Sequence, residues 1–318
     1  MAGAMKRHRV LGDSNLEKGQ FTDGTLLKWF LPYVLVASLQ YQFTKDALYY
    51  ASPFVLMSFR YILVGAIFYF LGGRKFQLDR DTILVAFFAS FSSIFWAIGL
   101  STVASGDSAV LSYTMPLFAI PIAYVLIRER ATHKEVVGAL IGFGGVVVYS
   151  TTLSHGSQFV GALYTILGAV FWGGYSVYYR KLRAKKPIPI LTTQFLLGSI
   201  PCLVGAVFYP QARFTLNLVG DLIYIVIFTG VVQFYLWNGL LRRGRVGRIT
   251  TLAFAVPAVT ILIDYIRGIS VPTTYSLAGA VLMFVGIFIS NWHKGETSEK
   301  EDRSLAHSDY QSKENSSK

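Results

Sequence analysis

Ten apolar stretches follow one another along the chain, at residues 27–44, 52–71, 82–101, 106–127, 134–152, 160–179, 188–208, 219–240, 248–267 and 273–292. As a helix, a run of about 20 apolar residues is long enough to cross a hydrocarbon layer about 30 Å thick. Lipid, whose core lets only helices and closed barrels span it, is therefore the solvent this sequence is built for. The expected fold is an all-α polytopic membrane protein with ten transmembrane helices. Serines, glycines and prolines interrupt several spans, as happens where a helix lines a cavity instead of facing lipid.

Composition agrees with this reading. The 318 residues are 53% hydrophobic and only 14% charged, against about 25% charged in a soluble domain. The formal net charge of +12 raises the question of nucleic acid, but the basic residues lie between the spans. With a cytoplasmic N-terminus, the inner loops near 72–81, 128–133, 180–187 and 241–247 and their edges hold fifteen: Arg74, Lys75, Arg80, Arg128, Arg130, Lys134, Arg180, Lys181, Arg183, Lys185, Lys186, Arg242, Arg243, Arg245 and Arg248. The outer loops hold three, Lys45, Arg213 and Arg267. That is the positive-inside asymmetry, and it places both termini in the cytoplasm. Trp29 and Trp292 then fall at the inner interface, and Tyr49, Tyr50, Tyr149, Tyr209 and Tyr275 at the outer one.

Other classes are disfavoured. The single cysteine, Cys202, excludes an intrachain disulfide framework. No Gly-rich lysine loop, His-Glu-x-x-His or paired acidic motif is present, so no cofactor, metal or catalytic residue is expected. The five histidines lie outside or at the edges of the spans. Residues 1–26 are read as a cytoplasmic N-terminal segment without an apolar signal region. Residues 293–318, rich in Ser, Lys and Glu, are read as a disordered cytoplasmic tail.

An internal repeat carries the architecture. An offset of 141 residues aligns Pro116 with Pro257, Gly138 with Gly279 and Gly145 with Gly286. Two halves, 27–152 and 160–292, then hold five spans each. An odd span count makes the second half enter the membrane from the opposite side, giving two inverted five-helix repeats with a substrate site near the midplane between them.

The stretch Ala97-Ile98-Gly99-Leu100 through Ala109-Val110-Leu111, then Met115-Pro116-Leu117-Phe118 and Arg128-Glu129-Arg130 closing on Gly138, resembles the EamA domain of the drug/metabolite transporter superfamily. So does Lys45-Asp46-Ala47-Leu48 followed by Ser52-Pro53 and Ser58-Phe59-Arg60. The similarity covers about residues 27 to 291, two EamA-like halves. In the second half Ser270 stands in the place of Glu129. The resemblance implies a ten-helix exporter or permease of small metabolites with a cavity between the halves.

Arg60 lies about 12 Å into the second span at 1.5 Å per residue. A charge at that depth faces a bundle interior and finds a partner. It reads either as an anion-contacting or gating residue, or as a structural arginine bonded to helix-end carbonyls. Candidate substrate-binding residues are Gln40 and Tyr41 in the first span, Trp96 in the third, Tyr113 in the fourth, Trp172 and Tyr175 in the sixth, and Gln233, Trp237 and Asn238 in the eighth, with Gln42 and Ser93 beside them. Amides inside hydrocarbon need partners, and aromatic faces bind flat or cationic solutes; packing between helices is the competing reading for each aromatic. Asp264 is the candidate proton carrier, although Arg267, an i, i+3 neighbour, is the simpler partner for it. Lys45 belongs at the outer mouth, and Pro116 and Pro257 are candidate hinges. Glu129 reads as an interfacial salt-bridge residue. The glycines at 138, 142, 145, 279 and 286 pair the fifth and tenth helices, within one molecule or between two.

The expected function is secondary transport, outward, of a small organic metabolite such as an amino acid, by alternating access through a central cavity. The alternative is a membrane-embedded sensor or enzyme that binds a small molecule without moving it. The expected partners are that metabolite, the lipid bilayer and a coupled proton or other ion, with no nucleic acid. The setting is the plasma membrane, as monomer or homodimer.

Overall fold

Caps and prolines decide where the helices start. Ser52 accepts a hydrogen bond from the Val55 N–H ahead of Pro53 at the first helical turn, the position where a missing N–H costs nothing. Asp79 caps the next helix through the Thr82 N–H. Burial alone would raise the Asp79 carboxyl, but hydrogen bonds from Gln77, Lys185 and Thr82 hold it far below the usual carboxylate range. Thr215 caps a later helix through Leu218.

In the computed structural model, residues 23–150, 157–268 and 273–291 are described. They form α1 (Asp23–Tyr50), α2 (Pro53–Leu71), α3 (Arg80–Thr102), α4 (Ser105–Ile127), α5 (His133–Ser150), α6 (Ser157–Lys181), α7 (Pro187–Phe208), α8 (Leu216–Arg243), α9 (Val246–Ile266) and α10 (Thr274–Asn291). No strand occurs among the described residues; one isolated bridge joins Ala51 to Ala212. Seven helices, α2, α3, α4, α6, α7, α8 and α9, are long and apolar enough to cross a membrane. Residues 1–22 and 292–318, Trp292 included, lie outside the described residues with Ser270, as does the side chain of Tyr149; α1 already begins at Asp23, inside the segment expected as an N-terminal tail.

Three helices are irregular. In α4 the regular helix stops at Ser112 and resumes at Met115, and in α9 it stops at Leu252 and resumes at Ala255. At both breaks the N–H groups turn to carbonyls three residues back, Thr114 to Leu111 at 3.2 Å and Phe254 to Thr251 at 3.2 Å. Pro116 and Pro257 follow immediately, and a proline can neither donate to the ladder nor fit beside the preceding turn. Helix α8 widens into a π-helix over Tyr224–Val232, a form that concentrates at functional sites.

The helices pack in pairs. α5 lies along α10, α2 along α7 and α3 along α6, while α1 packs on α8 and α9. The α5–α10 contact lies within one molecule and is close: a Cβ on Gly138 would sit 2.5 Å from the Gly286 carbonyl oxygen, and one on Gly145 2.5 Å from that of Gly279. Ion pairs Lys185–Asp79 at 2.9 Å and Lys181–Asp81 at 2.8 Å tie the α6–α7 link to the start of α3.

Candidate binding pocket between the helices

A cavity opens where α1, α2, α3, α4, α6 and α8 meet, at the middle of their lengths. The centre of a water molecule has about 60 Å³ in which to move there, several times the room one water needs. Its polar wall comes from Gln40, Arg60 and Gln233, its aromatic wall from Tyr33, Tyr41, Trp96, Tyr113, Trp172 and Phe234, and its floor from Ser92, Ser93, Ser112, Met115, Gly168 and Ala169.

Helical periodicity explains the gathering. Gln40 lies seven residues past Tyr33, Trp96 four past Ser92 and Trp172 four past Gly168, so each set shares one face. Gly168 is small for a reason: a Cβ there would stand 3.0 Å from the Trp96 backbone nitrogen, and the Ser92 hydroxyl donates to its carbonyl at 2.8 Å. Tyr41 meets Trp96 edge-on, with centroids 5.5 Å apart.

Arg60 dominates the chemistry. It is 2% exposed; its Nη2 donates to the Thr229 carbonyl at 3.1 Å, and its guanidinium lies 5.5 Å from the Phe234 ring centroid. Thr229 lies within the π-helical stretch of α8. Among the described residues no carboxylate forms an ion pair with Arg60, and its Nε has no hydrogen-bond partner. The Gln40 and Gln233 Oε1 atoms and the Trp96 Nε1 are also buried without one. A buried charge without a counter-ion is costly; the wall has the chemistry to take an anionic group at Arg60 and polar atoms at the amides and indole.

Of the ten expected binding residues, seven line the cavity: Gln40, Tyr41, Arg60, Trp96, Tyr113, Trp172 and Gln233. Three stand behind it. The Tyr175 hydroxyl donates to Asn238 Oδ1 at 2.6 Å, and Trp237 stacks on Tyr33 at 5.0 Å. Tyr33, Ser92, Ser112, Met115, Gly168, Ala169 and Phe234 were not singled out by the sequence; the signal available for Tyr33, Ser92 and Gly168 was their position on the same helical face as a residue that was.

The remaining candidates fall elsewhere. The local pair expected between Asp264 and Arg267 does not form. Asp264 turns inward and accepts from Gln42 Nε2 at 2.8 Å and from the Ser105 hydroxyl at 3.1 and 3.2 Å, while Arg267 pairs with Asp46 at 3.6 Å. Asp264 is 3% exposed and bonded to side chains of α1 and α4, whereas Arg267 stays exposed, so the two do not meet. Lys45 is no free mouth residue: its ammonium caps the end of α3, donating to the carbonyls of Leu100, Ser101 and Val103 at 2.7, 3.0 and 2.8 Å, where the helix dipole favours a cation. Pro116 and Pro257 are buried at the α4 and α9 breaks.

At the end of the bundle holding the basic loops, Glu129 pairs with Arg180 at 3.5 Å and accepts from the Val246 N–H at 2.6 Å. Glu135, which the sequence reading passed over, is buried there and bridges to Arg245 at 3.2 Å while closing a capping box with Thr132.

A model of the EamA-like transporter family matches residues 26–151 and again 159–292. A protein of Acidianus ambivalens described as an uncharacterized transporter in the sor 3′ region is 40% identical over 73% of this chain and 91% of its own. A probable amino-acid metabolite efflux pump of Salmonella typhimurium is 27% identical over 81% of this chain and 91% of its own, and an aromatic amino acid exporter of Ancylobacter novellus 27% identical over 60% and 68%. One solved crystal structure superposes with a TM-score of 0.71 at 20% identity, covering 85% of this chain and 98% of that one. At that identity it speaks for the fold alone.

Proposed function

The chain belongs to the EamA-like transporter family, and from that premise we propose that it carries a small amphipathic carboxylate, such as an amino acid, across the membrane through the central pocket. The observation that carries this reading is Arg60: a buried guanidinium facing a cavity, with no carboxylate among the described residues forming an ion pair with it. The substrate carboxylate takes that place. Gln40 and Gln233 receive its ammonium through their amide oxygens, and the aromatic wall takes an apolar or flat side chain. The names of the efflux pump and the exporter among the relatives favour an amino acid and outward movement.

The architecture in this reading is ten spans in two inverted halves, 27–152 and 160–292, within the plasma membrane, with both termini cytoplasmic. Helix packing supports it. Exchanging each helix for the one five places on turns α3–α6 into α8–α1, α4–α6 into α9–α1 and α3–α7 into α8–α2, all of them real contacts. Alternating access then follows from rocking one half on the other, with the breaks at Pro116 and Pro257 as the points that flex and the Glu129 and Glu135 pairs as the inner closure.

The test is exchange of tritiated amino acids, phenylalanine first, by the purified protein in sealed liposomes. Counterflow into preloaded vesicles is the expected outcome. Arg60→Gln removes a charge-assisted contact worth about 1.5–3 kcal/mol, so phenylalanine uptake falls about tenfold or more, with folding followed by thermal unfolding. Binding without exchange would favour the sensor reading, and undiminished uptake by the variant would remove Arg60 from the site.

A further inference from the structure

A second polar site lies at the far end of α1 from its N-terminus, outside the substrate pocket. Asp264 of α9 is buried, and the groups that touch it are neutral: Gln42 Nε2 at 2.8 Å and the Ser105 hydroxyl at 3.1 and 3.2 Å. The charged groups of the surrounding helices are engaged elsewhere. On α1, Lys45 is held by three α3 carbonyls, and Asp46 pairs with Arg267 at 3.6 Å. Asp107 of α4 interacts with Lys45, and Asp221 of α8 with Asp46 and Arg267. The described part of α10 has no acidic or basic side chain, and those of α5, His133, Lys134 and Glu135, stand at its first turn. The contrast with Glu135 is direct, because that buried carboxylate has Arg245 at 3.2 Å.

The second observation is on Gln42. It is 1% exposed, and its Oε1 has no hydrogen-bond partner although its Nε2 is bonded to Asp264. Rotating the amide by half a turn brings that oxygen to the carboxyl, where it can bond only if the carboxyl carries a proton. The same three side chains thus satisfy an ionised Asp264 with the nitrogen turned in, and a protonated one with the oxygen turned in.

We propose that Asp264, Gln42 and Ser105 form a proton-binding site that couples substrate movement to the proton gradient. The inference rests on the transport reading above. The proton binds Asp264 from water on one side of the membrane and leaves to water on the other, with no other bond made or broken. Helix α1 joins the two sites, since Gln40 and Tyr41 face the substrate while the next residue, Gln42, reads the proton. Two neutral donors and one carboxylate suit a proton better than a metal ion, which needs several oxygen ligands at fixed distances.

The experiment uses the full chain in liposomes with tritiated phenylalanine and an internal pH dye. An imposed pH gradient is expected to drive phenylalanine several-fold above equilibrium, with proton flux seen by the dye. In Asp264→Asn, which fixes the neutral form, accumulation falls to the equilibrium level while counterflow without a gradient stays within about twofold. Ser105→Ala removes a donor to the ionised form, so the pH midpoint of driven transport moves upward by a measurable fraction of a unit; this keeps the idea open to refutation if the asparagine variant does not fold. Accumulation by Asp264→Asn equal to that of the unaltered protein overturns the proposal, as does driving by a sodium gradient in place of protons, or an unmoved midpoint in Ser105→Ala. Intact counterflow with no effect of pH sinks this site alone, whereas absent counterflow sinks the transport reading and the coupling with it.

Discussion

Tyr175 and Asn238 read from sequence as substrate contacts, yet neither lines the pocket, and the Tyr175 hydroxyl donates to Asn238 Oδ1 across the α6–α8 contact. The consequence can be measured. Asn238→Leu strands the buried Tyr175 hydroxyl and costs about 1–3 kcal/mol, read as a lower unfolding temperature in detergent. Phenylalanine affinity of the variant that folds stays within about twofold. Adding Tyr175→Phe recovers part of the loss, because two apolar partners leave nothing unpaired. Residue type alone identified Arg60, the two amides and four of the six aromatic residues that line the pocket, because charges and amides in an apolar span need a reason to be there; it missed Tyr33 and Phe234. It could not say which polar residues satisfy one another, and for the same reason it paired Asp264 with its sequence neighbour Arg267 when the partners, Gln42 and Ser105, lie far along the chain.

At the scale of the helix, the order and length of the apolar runs were legible because a bilayer fixes one dimension of every span. The breaks in α4 and α9 were legible as well, since Pro116 and Pro257 announce them. The π-helical stretch in α8 had no such marker, and α1 runs on to Tyr50 because Lys45 finds the α3 carbonyls that let a charge stay within a helix. Helix contact can be tested with two neighbouring glycines of α5. A Cβ at Gly145 meets the Gly279 carbonyl oxygen at 2.5 Å, a backbone atom that cannot turn aside, whereas one at Gly144 meets nothing within 4 Å. Gly145→Ala therefore forces α5 and α10 apart and destabilises by about 1–3 kcal/mol, as overpacking does. Gly144→Ala gains about 0.5–1 kcal/mol from helix propensity. Unfolding temperatures in detergent that move in opposite directions are the expected result, and equal shifts would detach the α5–α10 contact from stability.

For the whole molecule, the proposed inverted arrangement makes a demand that no single helix does. The α2–α3 link and the α7–α8 link hold corresponding places in the two halves, and the five helices α3 to α7 lie between them. If all five cross, the two links face opposite compartments; if the repeat is parallel, or if one of the five lies along the surface, they face the same one. Because Cys202 is the single cysteine and its thiol already donates to the Gly198 carbonyl, where a serine hydroxyl can do the same, Cys202→Ser gives a thiol-free background. On it, Lys75→Cys and Gln211→Cys each place one thiol at an exposed position of its link. A membrane-impermeant maleimide applied to intact cells is expected to label Gln211→Cys at once and Lys75→Cys only after permeabilisation. The direction expected follows from charge: the positive-inside bias would hold the links with Arg74, Lys75, Lys185 and Lys186 on the cytoplasmic side. Labelling of both thiols from outside would leave the pocket between two halves that cannot exchange roles, and alternating access would lose the symmetry on which it depends.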